Sequence, residues 1–341
     1  MLAAIWLTSR CNLRCGYCYE GQSKSSSRIS EQIIDTIVQY VLEHFNRSGD
    51  SKLYVNYHGG EPLLEFKTLQ KITEKFEQAL GDSVLFGTTT NGTLLNDEKI
   101  EYLSKHFHFS LSVSLDGHRD THDYYRRYSD GKGTYDRIIG QALKWLRIRP
   151  DLRARMTFNT VTVENLYHNI EHLVELGFNT IVPVPDYFDS NWDHREIRVL
   201  EEQLRNVAQL YHEKKSQNPR LRIGMVDGSD NHRLGTCDGG ITTINIDPCG
   251  HIYPCTYVVG QDDYRIGHIT TGIIRDQLKH FHLHSLMQNE DCTGCTRSFY
   301  CSSTRCKAVN QLLTGDCLIP SPVVCAIEHV KHRINQTYSK V

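Results

Sequence analysis

Between residue 2 and about residue 218, short β-branched runs alternate with stretches whose apolar residues recur at helical spacing. This alternation restricts the fold more than any other feature, because consecutive parallel strands need a crossover long enough to hold a helix. Six strands are expected, at residues 3–8, 52–57, 84–90, 108–115, 153–161 and 179–183. Ile29, Ile33, Ile34, Ile37, Val38, Val41, Leu42 and Phe45 share one helical face, and Ile138, Ile139, Ala142, Leu143 and Leu146 share another. Gly133 and Thr134 read as the cap that opens this second helix. A third carries Leu166, Ile170, Leu173 and Val174 and stops at Gly177, a left-handed terminator. Ile197, Leu200, Leu204, Val207, Leu210 and Tyr211 make the longest. All these stripes read as core packing.

Around residues 219–236 the texture turns to Pro, Gly, Ser and Asp, which places a boundary between a domain at 1–224 and a second at 225–341. Residues 241–246, the turn Asp247-Pro248-Cys249-Gly250 and residues 251–256 read as a β-hairpin, with Pro second and Gly fourth in the turn. The stretch Ser23 to Ser27 is polar and reads as a mobile loop. Lys and Arg number 38 against 40 Asp and Glu, so no basic excess points to nucleic acid or an acidic membrane. No segment reads as a signal peptide or a membrane span, and a cytoplasmic location is expected.

Twelve cysteines are unevenly placed: three by residue 18, none from 19 to 236, and nine from Cys237 onward. Close pairs such as Cys15/Cys18 and Cys292/Cys295 in a chain without an export signal point to thiolate ligands for metal rather than disulfides. The first strand leads into Cys11-Asn-Leu-Arg-Cys15-Gly-Tyr17-Cys18. Three thiolates in one loop suit three irons of a four-iron, four-sulfur cluster and leave the fourth iron open to another ligand. An open position marks a catalytic rather than a structural metal site. The plainer alternative is a zinc knuckle completed by a distant histidine. His280, His282 and His284 read as surface residues of one helix.

The CxxxCxxC loop with an aromatic, Tyr17, before its third cysteine resembles the radical S-adenosylmethionine superfamily. His58-Gly59-Gly60-Glu61-Pro62 is similar to the family's Gly-Gly-Glu motif, whose backbone and carboxylate hold the amino group of S-adenosylmethionine. Without side chains at Gly59 and Gly60, backbone polar groups can approach a ligand closely. Asn91, Ser114 and Asp116 resemble segments lining the adenosine and methionine moieties, and Arg126 stands where the family keeps an arginine near the ligand carboxylate, though a solvated basic turn is the plain reading of that stretch. Asn159 is a further candidate. The cysteine loop, Gly60-Glu61, Asn91 and Ser114 to Asp116 fall at the C-terminal ends of successive expected strands, where barrels of this class build their sites. The resemblance implies a partial (β/α)6 barrel.

The C-terminal cysteines resemble the SPASM extension of these enzymes, which binds two auxiliary four-iron clusters. By that resemblance Cys237, Cys249, Cys255 and Cys306 would hold one, and Cys292, Cys295, Cys301 and Cys325 the other. Cys317 is an addition, and either it or Cys249 is the spare thiol or alternate ligand. A pair of zinc sites in a non-catalytic interaction protein is the alternative of another class.

The family's chemistry implies one-electron cleavage of S-adenosylmethionine to a 5′-deoxyadenosyl radical that abstracts hydrogen from substrate. Most proteins of this layout are maturases of ribosomally made peptides or protein side chains. A thioether or other cross-link is the first expectation, as in a group acting on Cys-containing repeat peptides. Sulfatase maturation, which oxidises Cys or Ser to formylglycine, is the second. Those enzymes keep an Asp after the hairpin cysteine, where this chain has Thr256. Expected partners are the precursor peptide or protein and a low-potential electron donor. Only ten residues precede Cys11, so leader recognition is expected from a separate protein or the barrel surface.

Overall fold

This computed structural model describes residues 1–21, 26–229, 232–287 and 289–338, without the side chains of 280–285. Ser23 to Ser25 of the polar stretch, and the side chains of His280, His282 and His284, lie outside the described residues. The chain runs β1 (Leu2–Trp6), α1 (Glu31–Ser48), β2 (Leu53–His58), α2 (Phe66–Leu80), β3 (Val84–Thr90), α3 (Asp97–His106) and β4 (Ser110–Ser114). Then come α4 (Arg119–Tyr125), α5 (Tyr135–Ile148), β5 (Arg153–Phe158), α6 (Leu166–Glu175), β6 (Thr180–Pro185), α7 (His194–Gln217) and β7 (Arg222–Ile223). The remainder holds β8 (Thr243–Ile246), β9 (His251–Tyr253), β10 (Gly267–His268), β11 (Gly272–Ile273), α8 (Arg275–Leu286), α9 (Ser302–Arg305), α10 (Lys307–Thr314) and α11 (Pro322–Tyr338).

Strands β1 to β6 fall on the six expected runs, with ends displaced by up to three residues. The largest displacement ends β5 at Phe158, because the Asn159 side-chain oxygen accepts from the Val161 and Thr162 N–H groups at 3.1 and 3.3 Å. Such an Asx turn offers the backbone an alternative to the ladder. The α5 cap differs from expectation. Thr134 donates its hydroxyl to Arg126 O at 3.0 Å, and Asp123 Oδ1 takes the Thr134 and Tyr135 N–H groups at 2.6 and 2.8 Å. A carboxylate from α4 thus does the capping, which local spacing could not reveal.

Two compact units divide the chain: residues 1–14, 18–111 and 237–284 form one, and residues 15–17, 112–236 and 285–341 the other. In the first, strands lie in the order β11-β10-β9-β8-β1-β2-β3. β1 pairs in parallel with β2 on one side and with β8 on the other, Leu2 opposite both Tyr54 and Thr243. The expected hairpin is present as antiparallel β8 and β9, closed by Gly250 N–H donating to Asp247 O at 3.0 Å. Its parallel attachment to β1 was not expected, nor were β10 and β11. Tyr57 stacks on Phe86, and Phe107 packs tilted against both, in the core of this unit. In the second unit β4, β5, β6 and β7 are all parallel. Ala154, Met156 and Phe158 of β5 are buried, and α11 packs on α7.

Candidate functional site

In the first unit, β1 leads toward Cys11 while β2 ends at His58. Gly59 has φ 140°, a conformation open chiefly to glycine. Gly60 N–H donates to Thr8 O at 3.0 Å and Glu61 N–H to Arg10 O at 2.9 Å, so this segment lies against the chain leading to Cys11. A Cβ on Gly60 would stand 2.5 Å from the Arg10 carbonyl carbon and 2.9 Å from Cys11 N. Glu61 is buried; Oε1 accepts from Leu63 N–H at 3.1 Å and Thr90 Oγ1 at 2.7 Å, and Oε2 from Asn91 N–H at 2.8 Å. Asn91 Nδ2 donates to Asn12 Oδ1 at 3.0 Å and approaches Cys11 Sγ at 3.8 Å. Cys11, Gly59 to Glu61 and Asn91 are therefore gathered at the C-terminal ends of β1, β2 and β3. Thr90 lies in the segment likened to the ligand-lining one but was given no role of its own, and Asn12, which adjoins Cys11, was missed.

The second unit holds the rest of the cysteine loop's neighbours. Gly16 N–H donates to Tyr125 O at 3.1 Å, and the Tyr17 hydroxyl donates to Asp116 Oδ2. The same oxygen receives Arg126 Nε at 2.9 Å, while Asp116 Oδ1 receives Thr157 N–H at 2.9 Å. The Arg126 guanidinium sits 5.3 Å from the Tyr17 ring centroid, a cation–π distance. Burial holds the Tyr17 hydroxyl well above its ordinary pKa despite Arg126. Burial opposes the Arg126 charge most strongly of any single influence, but Asp116, Tyr17 and Cys15 together outweigh it and hold the guanidinium pKa above its ordinary value. Asp116 is a partner that sequence reading had not given Arg126. Ser114 ends β4, buried, and Asn159 Nδ2 donates to Tyr125 Oη at 2.7 Å. These contacts fix the segment that carries Cys15.

Cys237, Cys249 and Cys255 belong to the first unit. At the β8–β9 turn, Asp247 Oδ1 accepts from Cys249 and His251 N–H groups at 2.8 and 2.9 Å, and Oδ2 faces His251 Nδ1 at 2.9 Å. Ligand atoms of Asp247, Cys249 and His251 all lie within 4.8 Å of one another, and sequence reading assigned no role to the acid or the imidazole. A cavity of about 410 Å³ opens beside this turn, lined by Trp6, Glu20, Cys249, Thr256, Tyr257 and Arg265 among others. Cys292, Cys295, Cys301, Cys306, Cys317 and Cys325 belong to the second unit. Burial, then neighbouring Cys295 and Cys325, raises the Cys292 thiol; burial and Cys295 raise Cys325. Burial pushes Cys301 up to about 11. No cysteine is in a disulfide among the described residues.

Residues 6–197 match the Radical SAM superfamily, and the chain belongs to it. It is therefore a radical S-adenosylmethionine enzyme whose cofactors are a four-iron, four-sulfur cluster and S-adenosylmethionine. Among curated proteins it is similar to the cysteine-type anaerobic sulfatase-maturating enzyme of Clostridium novyi (strain NT), 24% identical over 330 residues, 87% of this chain and 85% of that protein. Among solved structures it resembles native anSMEcpe with bound AdoMet at TM-score 0.78 and 17% identity, covering 100% of this chain and 100% of that one. Streptococcus suis SuiB bound to precursor peptide SuiA gives TM-score 0.66 at 15% identity over 95% of this chain and 75% of that one. These likenesses establish the open-sheet α/β fold of the family, SPASM-type, with its cysteine-rich C-terminal region. The residues present suit the cofactors. The thiol-only donor set of the loop fits iron and sulfide, and the absence of side chains at Gly59 and Gly60 lets this segment pack directly on the backbone that leads to Cys11. No described helix is long and apolar enough to cross a membrane.

Proposed function

We propose that this enzyme is a peptide maturase that removes a hydrogen from a carbon of a ribosomally made peptide and closes a thioether or other cross-link there. When bound, the N-terminal cluster and S-adenosylmethionine supply a 5′-deoxyadenosyl radical. The chain's own residues bind, orient and shield. Cys11, Cys15 and Cys18 hold three irons, and Tyr17, tied to Asp116, keeps their loop in place. Gly59, Gly60, Glu61 and Asn91 of the first unit, and Ser114, Asp116 and Arg126 of the second, are the residues that would hold S-adenosylmethionine. Thr90 and the Asn91 backbone pin the Glu61 carboxylate, so it needs no reorganisation when a ligand ammonium arrives. Residues 1–224 carry this chemistry and residues 225–341 two auxiliary clusters. Cys237, Cys249, Cys255 and Cys306 form one ligand set, with Cys317 as the alternate to Cys249, and Cys292, Cys295, Cys301 and Cys325 form the other. The influence of Cys295 on both Cys292 and Cys325, and of Cys325 on Cys292, supports the second set. A low-potential donor provides electrons, and the barrel surface or a separate protein recognises the peptide, in a cytoplasmic setting.

The observation that carries the cross-linking reading is the cavity beside the hairpin. Its volume of about 410 Å³ suits a peptide side chain, and it is lined by Glu20, two residues after Cys18, and by Thr256, next to Cys255. Thr256 offers a hydroxyl, donated to Asn245 Oδ1 at 3.2 Å, where formylglycine-forming relatives are expected to place a carboxylate. Formylglycine formation is the second reading, favoured by the similarity to the Clostridium novyi enzyme over 85% of its length. Mass spectrometry of Cys-containing peptides after anaerobic turnover separates the two. A cross-link retains sulfur and loses two hydrogens; formylglycine loses two hydrogens and also exchanges sulfur for oxygen. Formylglycine as the product would overturn the first reading in favour of the second.

A further inference from the structure

Lys307 opens α10 and is 3% exposed. A buried ammonium is costly unless acceptors and a counter-charge surround it. Its Nζ donates to Oδ1 of Asn289, and no carboxylate pairs with it among the described residues. Asn289 is itself buried, its carbonyl accepts the Cys292 N–H at 3.0 Å, and its Nδ2 donates to Ser303 O at 3.4 Å. The fully buried Asn310 donates to Ser303 O at 2.8 Å and to Cys317 O at 3.4 Å, completing a polar floor beneath the lysine. The ammonium is thus held one hydrogen bond from the residue that shapes the Cys292 turn. A thiol bound to metal is deprotonated outright, so ligation at Cys292 would bring a fixed negative charge to this position.

We propose that Lys307 is the built-in counter-charge of the auxiliary cluster held by Cys292, Cys295, Cys301 and Cys325, and that it raises that cluster's reduction potential. The inference rests on the ligand set proposed above. A cation fixed beside an iron–sulfur cluster stabilises the form carrying one more electron, and net charge and hydrogen bonding around the cluster are what tune its potential. Lys307 is in this sense a positioning residue for an electron. It touches no substrate, and it makes this cluster a better acceptor than its cysteines alone would.

The test is an EPR-monitored redox titration of the full-length, anaerobically reconstituted enzyme, with iron counted, for wild type, Lys307→Met and Lys307→Arg. The expected result is a fall in one auxiliary midpoint potential in Lys307→Met, largely restored in Lys307→Arg, with the N-terminal cluster unmoved. Loss of cluster iron in Lys307→Met but not in Lys307→Arg also supports a charge-compensating role. Unmoved potentials in Lys307→Met, or equal defects in both variants, would overturn it, the latter by showing that packing rather than charge matters. A wild-type enzyme without auxiliary iron defeats the ligand set itself and is distinguishable from either result.

Discussion

Replacing Gly60 with alanine tests the reasoning about the S-adenosylmethionine site most directly. The added Cβ would meet the Arg10 carbonyl carbon at 2.5 Å and Cys11 N at 2.9 Å, and both are backbone atoms that no rotamer change can move aside. Carbon atoms in contact settle near 3.5 Å, so the chain entering the cysteine loop must retreat by about 1 Å. That retreat also strains the bonds from Gly60 N–H to Thr8 O and from Glu61 N–H to Arg10 O. Overpacking of this kind costs about 1–3 kcal/mol of stability, and a misplacement of about 1 Å in a reacting geometry costs up to about 10²-fold in rate. The assay is 5′-deoxyadenosine formation by anaerobically reconstituted enzyme at saturating S-adenosylmethionine, with iron counted alongside. The expected result is a loss of about 10- to 100-fold with the fold intact by circular dichroism. Gly140→Ala is the control, since nothing lies within 4 Å of a Cβ there, and a helical Gly-to-Ala change should stabilise α5 by up to about 1 kcal/mol. Wild-type turnover and iron in Gly60→Ala would refute the argument that close backbone approach at this glycine positions the loop.

Two further outcomes are expected. His122 Nδ1 accepts the Asp116 N–H at 3.3 Å, and burial pulls its pKa down to about 4, so the native imidazole stays neutral while the unfolded one protonates near 6.5. Its contribution is therefore fully present above pH 6.5 and lost as pH falls toward about 4, on the order of 3 kcal/mol, and urea unfolding of His122→Gln should show a flatter acid limb than wild type. An identical acid limb in the two proteins would contradict this. For the metal sites, Cys325→Ser should lower iron from about 12 to about 8 per chain while Cys317→Ser should not, and the reverse pattern would exchange their roles.

The strand and helix order was legible because each element repeats its own period: the helices between the six expected strands bury most of the residues that the pattern places inward, with Ile33, Leu42, Ile139, Leu143, Val174 and Ile197 only half-buried. The cysteine loop, Gly59-Gly60-Glu61 and Asn91 were legible because their chemistry is carried by residue type and short spacing. The α5 cap was not, because its acceptor is Asp123 rather than the local Thr134. Nor was the parallel pairing of β8 with β1, which joins residues some 240 apart in the chain through backbone groups that every residue possesses.

The sequence by itself determined the alternation of elements, the three-thiol loop and the glycines that need no side chain, since each depends on local steric and chemical identity. Only the tertiary structure decided what the buried charges face. Arg126 meets Asp116 and Tyr17, Glu61 meets Thr90 and Asn91, and Lys307 meets Asn289 near Cys292. A charge taken out of water must find its partner wherever packing brings one, and that partner is set by distance in space rather than by spacing along the chain.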